Sequence, residues 1–150
     1  MTVEKVSQNK CCNGVQGVYK HSSAALSCEM NFGLFLPQLA QSQKVPLIWF
    51  LSGLTCTHEN AMVKAGAQSW AAQHDLALIF PDTSPRGVGV ADDEAFDLGQ
   101  GAGFYVNATC SCPRRGALSN FQFPPTVFSF EFGYSRSYVS IIRPLDAPQR

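Results

Sequence analysis

The residues best suited to chemistry lie in one stretch, which reads L-S-G-L-T-C-T-H-E-N at positions 51–60. Cys56 and His58 carry the side chains of a nucleophile and a general base, but the fold, rather than close sequence spacing, normally brings such a pair together. We therefore interpret Cys56 as a residue that lines a pocket. Gly53 permits a tight turn after an apolar run, and such a turn leaves backbone N–H groups free beyond the end of a strand. The stretch predicts backbone donors that face a pocket.

Two other motifs match known patterns only in part. Residues 133–137 read G-Y-S-R-S, but Ser137 stands where a nucleophile elbow needs its second glycine, and the residues that follow favour a strand. Gly99, Gly101 and Gly103 differ from the G-x-G-x-x-G spacing of dinucleotide sites, and no helical pattern follows them. We interpret the glycines as close backbone packing around a pocket, and we expect no working elbow at 133–137.

Six cysteines occur in the chain, at positions 11, 12, 28, 56, 110 and 112. The N-terminal sequence lacks the apolar segment of a secretory signal, so we expect reduced thiols rather than a disulfide framework. Neither the adjacent pair Cys11 and Cys12 nor the pair Cys110 and Cys112 has the C-x-x-C spacing of zinc and redox sites. The sequence therefore predicts no metal site.

The composition is that of one ordinary globular domain. The 150 residues are 45% hydrophobic and 15% charged, which is enough apolar material for a sizeable core. Basic and acidic residues both number 11, so the formal net charge is zero and no overall field favours nucleic acid or an anionic membrane. No run approaches the roughly 18 apolar residues of a membrane helix. We expect a soluble, cytosolic protein with neither of those partners.

Hydrophobic patterns predict the strands that position the 51–60 stretch. Residues 15–20 alternate loosely and residues 27–36 alternate well, which indicates two antiparallel strands. The continuous apolar run at 47–51 is typical of a strand covered on both faces, and a second short run follows at 76–80. We expect these last two strands to be parallel neighbours.

A helix is predicted between those two strands, over residues 60–74. The segment is rich in alanine, Thr57 or Asn60 can cap its start, and Trp70 falls on the face that points partly inward. We expect the helix to continue through Gly66 despite the cost of a glycine. Strand, helix and strand in this order predict an α/β fold with a right-handed crossover.

The character of the chain changes after Thr109. Residues 110–150 contain five Phe, five Pro, six Ser and five Arg, without Lys, His, Met or Trp. This stretch has no amphipathic helical pattern, although 126–132 could alternate as a strand. We therefore expect two parts, one at 1–109 and an irregular, unrelated tail at 110–150.

Four segments of the first part closely resemble the S-formylglutathione hydrolase (esterase D) family. They are L-S-G-L-T-C-T-x-E-N at 51–60, K-A-G at 64–66, P-D-T-S-P-R-G at 81–87 and D-L-G-Q-G-A-G-F-Y-V-N-A-T at 97–109. The resemblance implies an α/β-hydrolase fold, incomplete in this chain, for a cytosolic and commonly homodimeric enzyme. Such enzymes hydrolyse the thioester S-formylglutathione to glutathione and formate in formaldehyde detoxification, cleave simple carboxylic esters, and need no metal or cofactor.

The resemblance also assigns site residues. In this family a serine attacks the thioester carbonyl, and backbone N–H groups hold the resulting oxyanion. By this resemblance the N–H of Leu54 supplies one oxyanion donor, and Cys56 lies near the pocket. The serine elbow G-H-S-M-G-G, the acid and the base of the triad have no counterpart in this chain, so we expect it to be inactive by itself. The alternative is a non-catalytic fragment that binds a partner, such as the dimer surface of the intact enzyme.

The resemblance has a further structural consequence. In the family's sheet the strand at 46–52 lies between the strand at 76–80 and the strand that bears the nucleophile. Without that last strand, we expect the apolar run to form an unpaired sheet edge unless 126–132 pairs with it. An unpaired apolar edge predicts poor solubility.

Overall fold

The computed structural model describes residues 3–23, 26, 28–90, 92, 94 and 99–102, together with the backbone of two short strands at 128–129 and 139–142. Within these described residues, seven strands form one mixed sheet in the order β1-β2-β3-β5-β4-β7-β6. In chain order the strands are β1 (Val3–Cys11), β2 (Gly14–Ser23), β3 (Cys28–Pro37), β4 (Val45–Trp49), β5 (Ala77–Pro81), β6 (Phe128–Ser129) and β7 (Val139–Ile142). A 3-10 helix (Gln38–Gln41) precedes β4, and the helices α1 (His58–Lys64) and α2 (Ala67–Gln73) lie between β4 and β5.

The N-terminal part of the sheet is antiparallel, as predicted. Strand β2 pairs along its whole length with β3, and β1 pairs with β2 across a hairpin. Strand β1 was not predicted, because seven of its nine residues are exposed and its sequence therefore lacks the apolar alternation of a half-buried strand. On the other side of β3, β5 continues the sheet in the antiparallel sense.

Strands β4 and β5 form the predicted parallel pair, in which Leu47 lies opposite Ala77 and Trp49 lies opposite Ile79. The two helices cover one face of the sheet, where the buried helix residues Ala61 and Ala71 join a cluster with sheet residues. The sheet residues of that cluster are Phe35, Leu78 and Phe80. A second cluster lies on the other face and includes Phe32, Leu34, Leu47 and Ile79. The crossover therefore places α1 directly after the loop that carries the 51–60 stretch.

The prediction of one continuous helix over 60–74 is wrong. The helix is interrupted at Gly66, which has a left-handed φ of 61° and separates α1 from α2. Thr57 caps α1 as predicted, and Thr57 and Asn60 together form a capping box. Trp70 lies in α2 and is 66% exposed rather than partly inward.

The prediction of an unpaired edge at β4 is also wrong. Strand β7 pairs with β4 in the antiparallel sense, with Val45 opposite Ile142 and Ile48 opposite Val139. The predicted strand at 126–132 is present in part as β6, but β6 pairs with β7 rather than with β4. The hydrogen-bonding groups along that edge of β4 therefore face a neighbouring strand.

Within the part of the chain that the structure describes, no helix is long and apolar enough to cross a membrane.

The interruption of the helix at Gly66 can be tested by stability, because a left-handed and a helical Gly66 predict opposite effects of an alanine substitution. Gly66→Ala is expected to lower the free energy of unfolding by about 1–2 kcal/mol, because alanine is strained at positive φ. Gly53→Ala is the matched control, since an added Cβ meets nothing within 4 Å at either glycine and only Gly66 has a positive φ. Urea denaturation of both variants measures the difference. A continuous helix would give the opposite sign, because alanine stabilises a helix interior relative to glycine by about 1 kcal/mol.

Candidate functional site at the carboxyl ends of β4 and β5

The loop after β4 contains a tight turn at residues 53–56. The N–H of Cys56 donates to the carbonyl of Gly53 at 3.1 Å, and Thr55 has a φ of 65°, whereas Leu54 has an ordinary negative φ. These features define a type II turn with Leu54 and Thr55 at its centre. Gly53 was expected to provide the conformational freedom, but the left-handed residue is Thr55. A β-branched residue is strained there, so the surroundings must hold it.

Thr55 is held by the segment at 99–102. Its N–H donates to the carbonyl of Gly101 at 2.7 Å. Gly99 and Gly101 both have positive φ, at 79° and 85°, and both are buried. This arrangement is the close backbone packing that we expected of the glycines, while Gly103 lies outside the described residues. The carbonyl of Gly101 thus supports the turn, and the packing of these glycines around a pocket stays a prediction.

Leu54 lies outside regular sheet pairing, at the second position of the turn. Within the described residues its N–H donates no hydrogen bond, and the residue is 55% exposed. The donor is therefore available to a ligand that approaches the carboxyl end of β4. Its role as an oxyanion donor remains a prediction.

Cys56 is half-buried, and its carbonyl accepts a hydrogen bond of 3.2 Å from the guanidinium of Arg86. His58 occupies the first turn of α1 and is buried. No hydrogen bond joins the Cys56 sulfur to His58 in the described part of the chain. The described residues therefore show no hydrogen-bonded Cys56–His58 dyad, and the place of Cys56 beside a pocket stays a prediction.

Asp82 and Arg86 connect the loop after β5 with the turn. The Nε of Arg86 lies 2.7 Å from Oδ2 of Asp82, whose side chain is only 4% exposed. The other carboxylate oxygen accepts a hydrogen bond of 3.1 Å from the N–H of Ser84. Through its second contact, on the carbonyl of Cys56, Arg86 ties the two post-strand loops together. In the sequence these two residues stand out only as members of P-D-T-S-P-R-G, and no local pattern reveals that they pair.

Three buried polar atoms lie in this region without a hydrogen-bond partner among the described residues. They are Oγ of Ser52, Oγ1 of Thr83 and Nδ1 of His58. Ser52 follows β4 and Thr83 follows β5, so both belong to the edge at which the parallel strands end. Buried polar groups usually bind water or a ligand when protein atoms do not satisfy them. Among the described residues, the carboxyl end of this strand pair therefore has hydrogen-bonding groups without a partner in addition to the N–H of Leu54.

Burial controls protonation at the site. Desolvation lowers the pKa of His58 below its ordinary value of 6.5, although the carboxylates of Glu59 and Asp82 act in the opposite direction. The imidazole is therefore neutral at pH 7. Burial also raises the pKa of the Cys28 thiol, which keeps that thiol protonated.

The described residues contain no group of three or more His, Cys, Asp or Glu side chains arranged to hold a metal ion. The G-Y-S-R-S segment at 133–137 lies outside the described residues. What the described site offers is therefore a set of hydrogen-bond donors and small polar groups around the ends of two strands. Such a set can polarise a carbonyl, but it supplies no paired nucleophile and base.

Comparisons with known proteins point to one family. A family model described as "Putative esterase" matches residues 23–118. The chain is 62% identical over 109 residues to an S-formylglutathione hydrolase of Paracoccus denitrificans (strain Pd 1222), a match that covers 73% of this chain and 39% of that protein. The S-formylglutathione hydrolase of Rattus norvegicus is 49% identical over 110 residues, with the same coverage. The chain thus spans about two fifths of the length of these curated relatives.

The chain is also similar to a solved structure, an S-formylglutathione hydrolase from Agrobacterium tumefaciens. The TM-score is 0.71 and the sequence identity is 41%, over 77% of this chain and 42% of the other. The similarity to this structure therefore extends to the sequence as well as to the fold.

Because Arg86 contacts both loops, two substitutions of Arg86 are expected to lower the stability of the protein by different amounts. Arg86→Met is expected to lower the free energy of unfolding by about 2–3 kcal/mol, because the buried Asp82 carboxylate would lose its cation. Arg86→Lys keeps the charge but lacks the planar fork that reaches both partners, so a loss of about 1 kcal/mol is expected. Urea denaturation measures both values. Equal losses in the two variants would show that Asp82 does not depend on the charge of Arg86.

The buried histidines predict a loss of stability in mild acid. Because burial lowers the pKa of His58, the unfolded chain binds a proton at a higher pH than the folded chain, so stability is retained above pH 6.5 and falls as the pH drops below it. Denaturation midpoints at pH 7.5 and 5.0 are expected to differ less in His58→Gln than in the parent. Burial also lowers the pKa of His21, so His21→Gln is expected to act in the same direction. Gln73→Ala, at an exposed position without a titratable group, is the control that should leave the pH dependence unchanged.

Proposed function

Because this chain belongs to the esterase family and matches S-formylglutathione hydrolases over about 110 residues, we propose that residues 1–109 are the N-terminal part of such an enzyme and carry one half of its thioester-hydrolase site. Its fold is a partial α/β-hydrolase fold, in which β4, α1, α2 and β5 form the crossover of the parallel-type sheet. The half-site is the turn at 53–56 with its supporting loops. Its function is to bind and polarise the carbonyl of the substrate.

The observation that carries this proposal is the N–H of Leu54. It projects from a strained turn that three independent contacts hold, namely the Gly53–Cys56 turn bond, the Thr55–Gly101 bond and the Arg86–Cys56 bond. A donor that is fixed before the substrate arrives stabilises a developing oxyanion without reorganisation, and each such donor contributes about 3 kcal/mol in an assembled site. Thr55 and Arg86 therefore act by fixing the direction of the Leu54 N–H.

The proposed substrate is S-formylglutathione, and the proposed products are glutathione and formate. The formyl carbonyl would accept the hydrogen bond of Leu54 while the carbonyl carbon is attacked, and the half-buried Cys56 would lie beside the acyl group. The proposed setting is formaldehyde detoxification in the cytoplasm by a homodimeric enzyme that needs no cofactor. This assignment is supported by the relatives in three organisms, each of which is named as an S-formylglutathione hydrolase.

We further propose that the chain of 150 residues does not complete the reaction alone. It contains no G-x-S-x-G sequence, and the resemblance places the serine, the acid and the base in parts of the relatives that this chain does not match. A fluorophosphonate probe, which labels activated serines, is therefore expected to leave the purified chain unlabelled. Labelling would contradict the proposal, whereas the absence of labelling together with a co-purifying partner would favour the alternative of a partner-binding fragment.

The half-site itself can be tested in a chimera. Residues 1–109 would be joined in frame to the remainder of the Paracoccus denitrificans enzyme, and hydrolysis of S-formylglutathione would be measured. Proline is favoured at the second position of a type II turn and lacks an N–H, so Leu54→Pro should preserve the turn and remove the donor. We expect kcat to fall by about 10²–10³. Leu54→Ala, which keeps the N–H, is the matched control and should retain kcat within a few fold.

Two outcomes of the chimera experiment would contradict different parts of the proposal. A chimera that folds cooperatively but does not hydrolyse the thioester would overturn the proposed half-site. Equal activity of Leu54→Pro and Leu54→Ala would leave the family activity intact but remove Leu54 from the oxyanion site.

A further inference from the structure

The hairpin between β1 and β2 carries two adjacent thiols at its tip. Cys11 is the last residue of β1, and Cys12 and Asn13 form the two-residue loop before Gly14. Both loop residues have positive φ, at 47° and 57°, as in the type I′ turns that close tight hairpins. The two sulfur atoms lie 3.6 Å apart, with Cys12 exposed and Cys11 half-buried. This pair lies on the hairpin, away from the turn that carries Leu54.

The two thiols are poorly placed to join each other in a disulfide. Disulfides usually connect Cα atoms that are about 4.4–6.8 Å apart, whereas neighbouring Cα atoms are only about 3.8 Å apart across a trans peptide. A strained disulfide is more easily reduced than an ordinary one. The reduced dithiol is therefore the stable form of this pair under the conditions that keep other thiols reduced.

The sulfur spacing instead suits two bonds to one shared thiophilic atom. Two thiolates at tetrahedral positions around zinc, each about 2.3 Å from the metal, would be roughly 3.7 Å apart. Structural zinc needs two more ligands, and the described residues offer no group of three or more ligating side chains. A linear two-coordinate metal would need its two sulfurs on opposite sides. Trivalent arsenic that already carries one organic group needs two further bonds, both on the same side of the atom.

We propose that Cys11 and Cys12 form a binding site for trivalent organoarsenicals. In the reaction R–As=O + 2 R′–SH → R–As(S–R′)₂ + H₂O, the As=O bond and two S–H bonds break, two As–S bonds form, and both thiol protons leave in water. Arsenic remains trivalent, so no oxidant or reductant is required.

The protonation state of the pair is consistent with this reaction. Burial raises the pKa of the Cys11 thiol, and the hydrogen bond and charge of Cys12 raise it further. The thiol of Cys11 is therefore neutral at pH 7, and its proton is available to leave with the oxygen of the arsenical. The product carries no charge, which suits a half-buried position against the sheet.

Mass spectrometry of the full 150-residue chain with phenylarsine oxide tests the site. We expect one adduct whose mass corresponds to the gain of C₆H₅As and the loss of two hydrogens, stable to excess glutathione and reversed by a competing 1,2-dithiol. Cys12→Ser is the decisive variant, because Cys12 is exposed and its replacement should leave the fold intact. It is expected to weaken binding by about 10²-fold or more, since the second bond is no longer intramolecular. Cys11→Ser should have the same effect.

The remaining cysteines provide the matched controls. Cys28→Ser and Cys56→Ser remove single thiols elsewhere, and a double Cys110→Ser, Cys112→Ser variant removes the other closely spaced pair. All three should retain the adduct with unchanged affinity. An adduct that persists in Cys12→Ser, or one that disappears in the double variant, would overturn the assignment to the hairpin.

Discussion

The parallel pairing of β4 with β5 is the constraint from which the architecture of the site follows. Parallel neighbours end at the same edge of a sheet, so the loops after Trp49 and after Pro81 must meet there. One loop supplies the turn with Leu54, and the other supplies Asp82 and Arg86. The long helical crossover between the strands is what parallel pairing requires, and it also covers one face of the sheet. The position of the site is therefore a consequence of strand direction.

Strand direction brings the two loops together but does not fix the conformation of the turn. The buried ion pair of Asp82 and Arg86 contributes to fixing it. The Asp82 carboxylate is almost fully buried, so it needs a cation and hydrogen-bond donors to offset desolvation. Arg86 supplies the cation, and the same guanidinium donates to the carbonyl of Cys56. The cost of keeping Thr55 at positive φ, of the order of 1–3 kcal/mol, is thereby opposed by contacts from two different loops. A strained turn with such support is rigid, and rigidity is the property that a preorganised donor requires.

The sequence predicted those parts of the fold that depend on local periodicity. The antiparallel pair β2 and β3 and the parallel pair β4 and β5 follow from alternating and continuous apolar runs. Features set by single φ values or by distant contacts were missed. Periodicity does not reveal that Gly66 is left-handed, so the helix was predicted as continuous. The turn glycine Gly53 was assigned a role that belongs to Thr55, and the burial of His58 and the tie between Asp82 and Arg86 depend on loops that are far apart in sequence.

Strand β7 pairs with the lateral edge of β4, but this pairing does not restore a catalytic site. A nucleophile elbow lies at the carboxyl end of its strand. A strand next to β4 must therefore run parallel to β4 to place an elbow near Leu54, beyond the carboxyl end of β4. Strand β7 runs antiparallel, and its last residue, Ile142, lies opposite Val45 at the far end of β4. The carboxyl end of β7 therefore points away from the turn at 53–56. This pairing satisfies the backbone groups of β4, which opposes edge aggregation, but its direction supports the proposal that the chain contributes a carbonyl-binding half-site rather than a complete hydrolase.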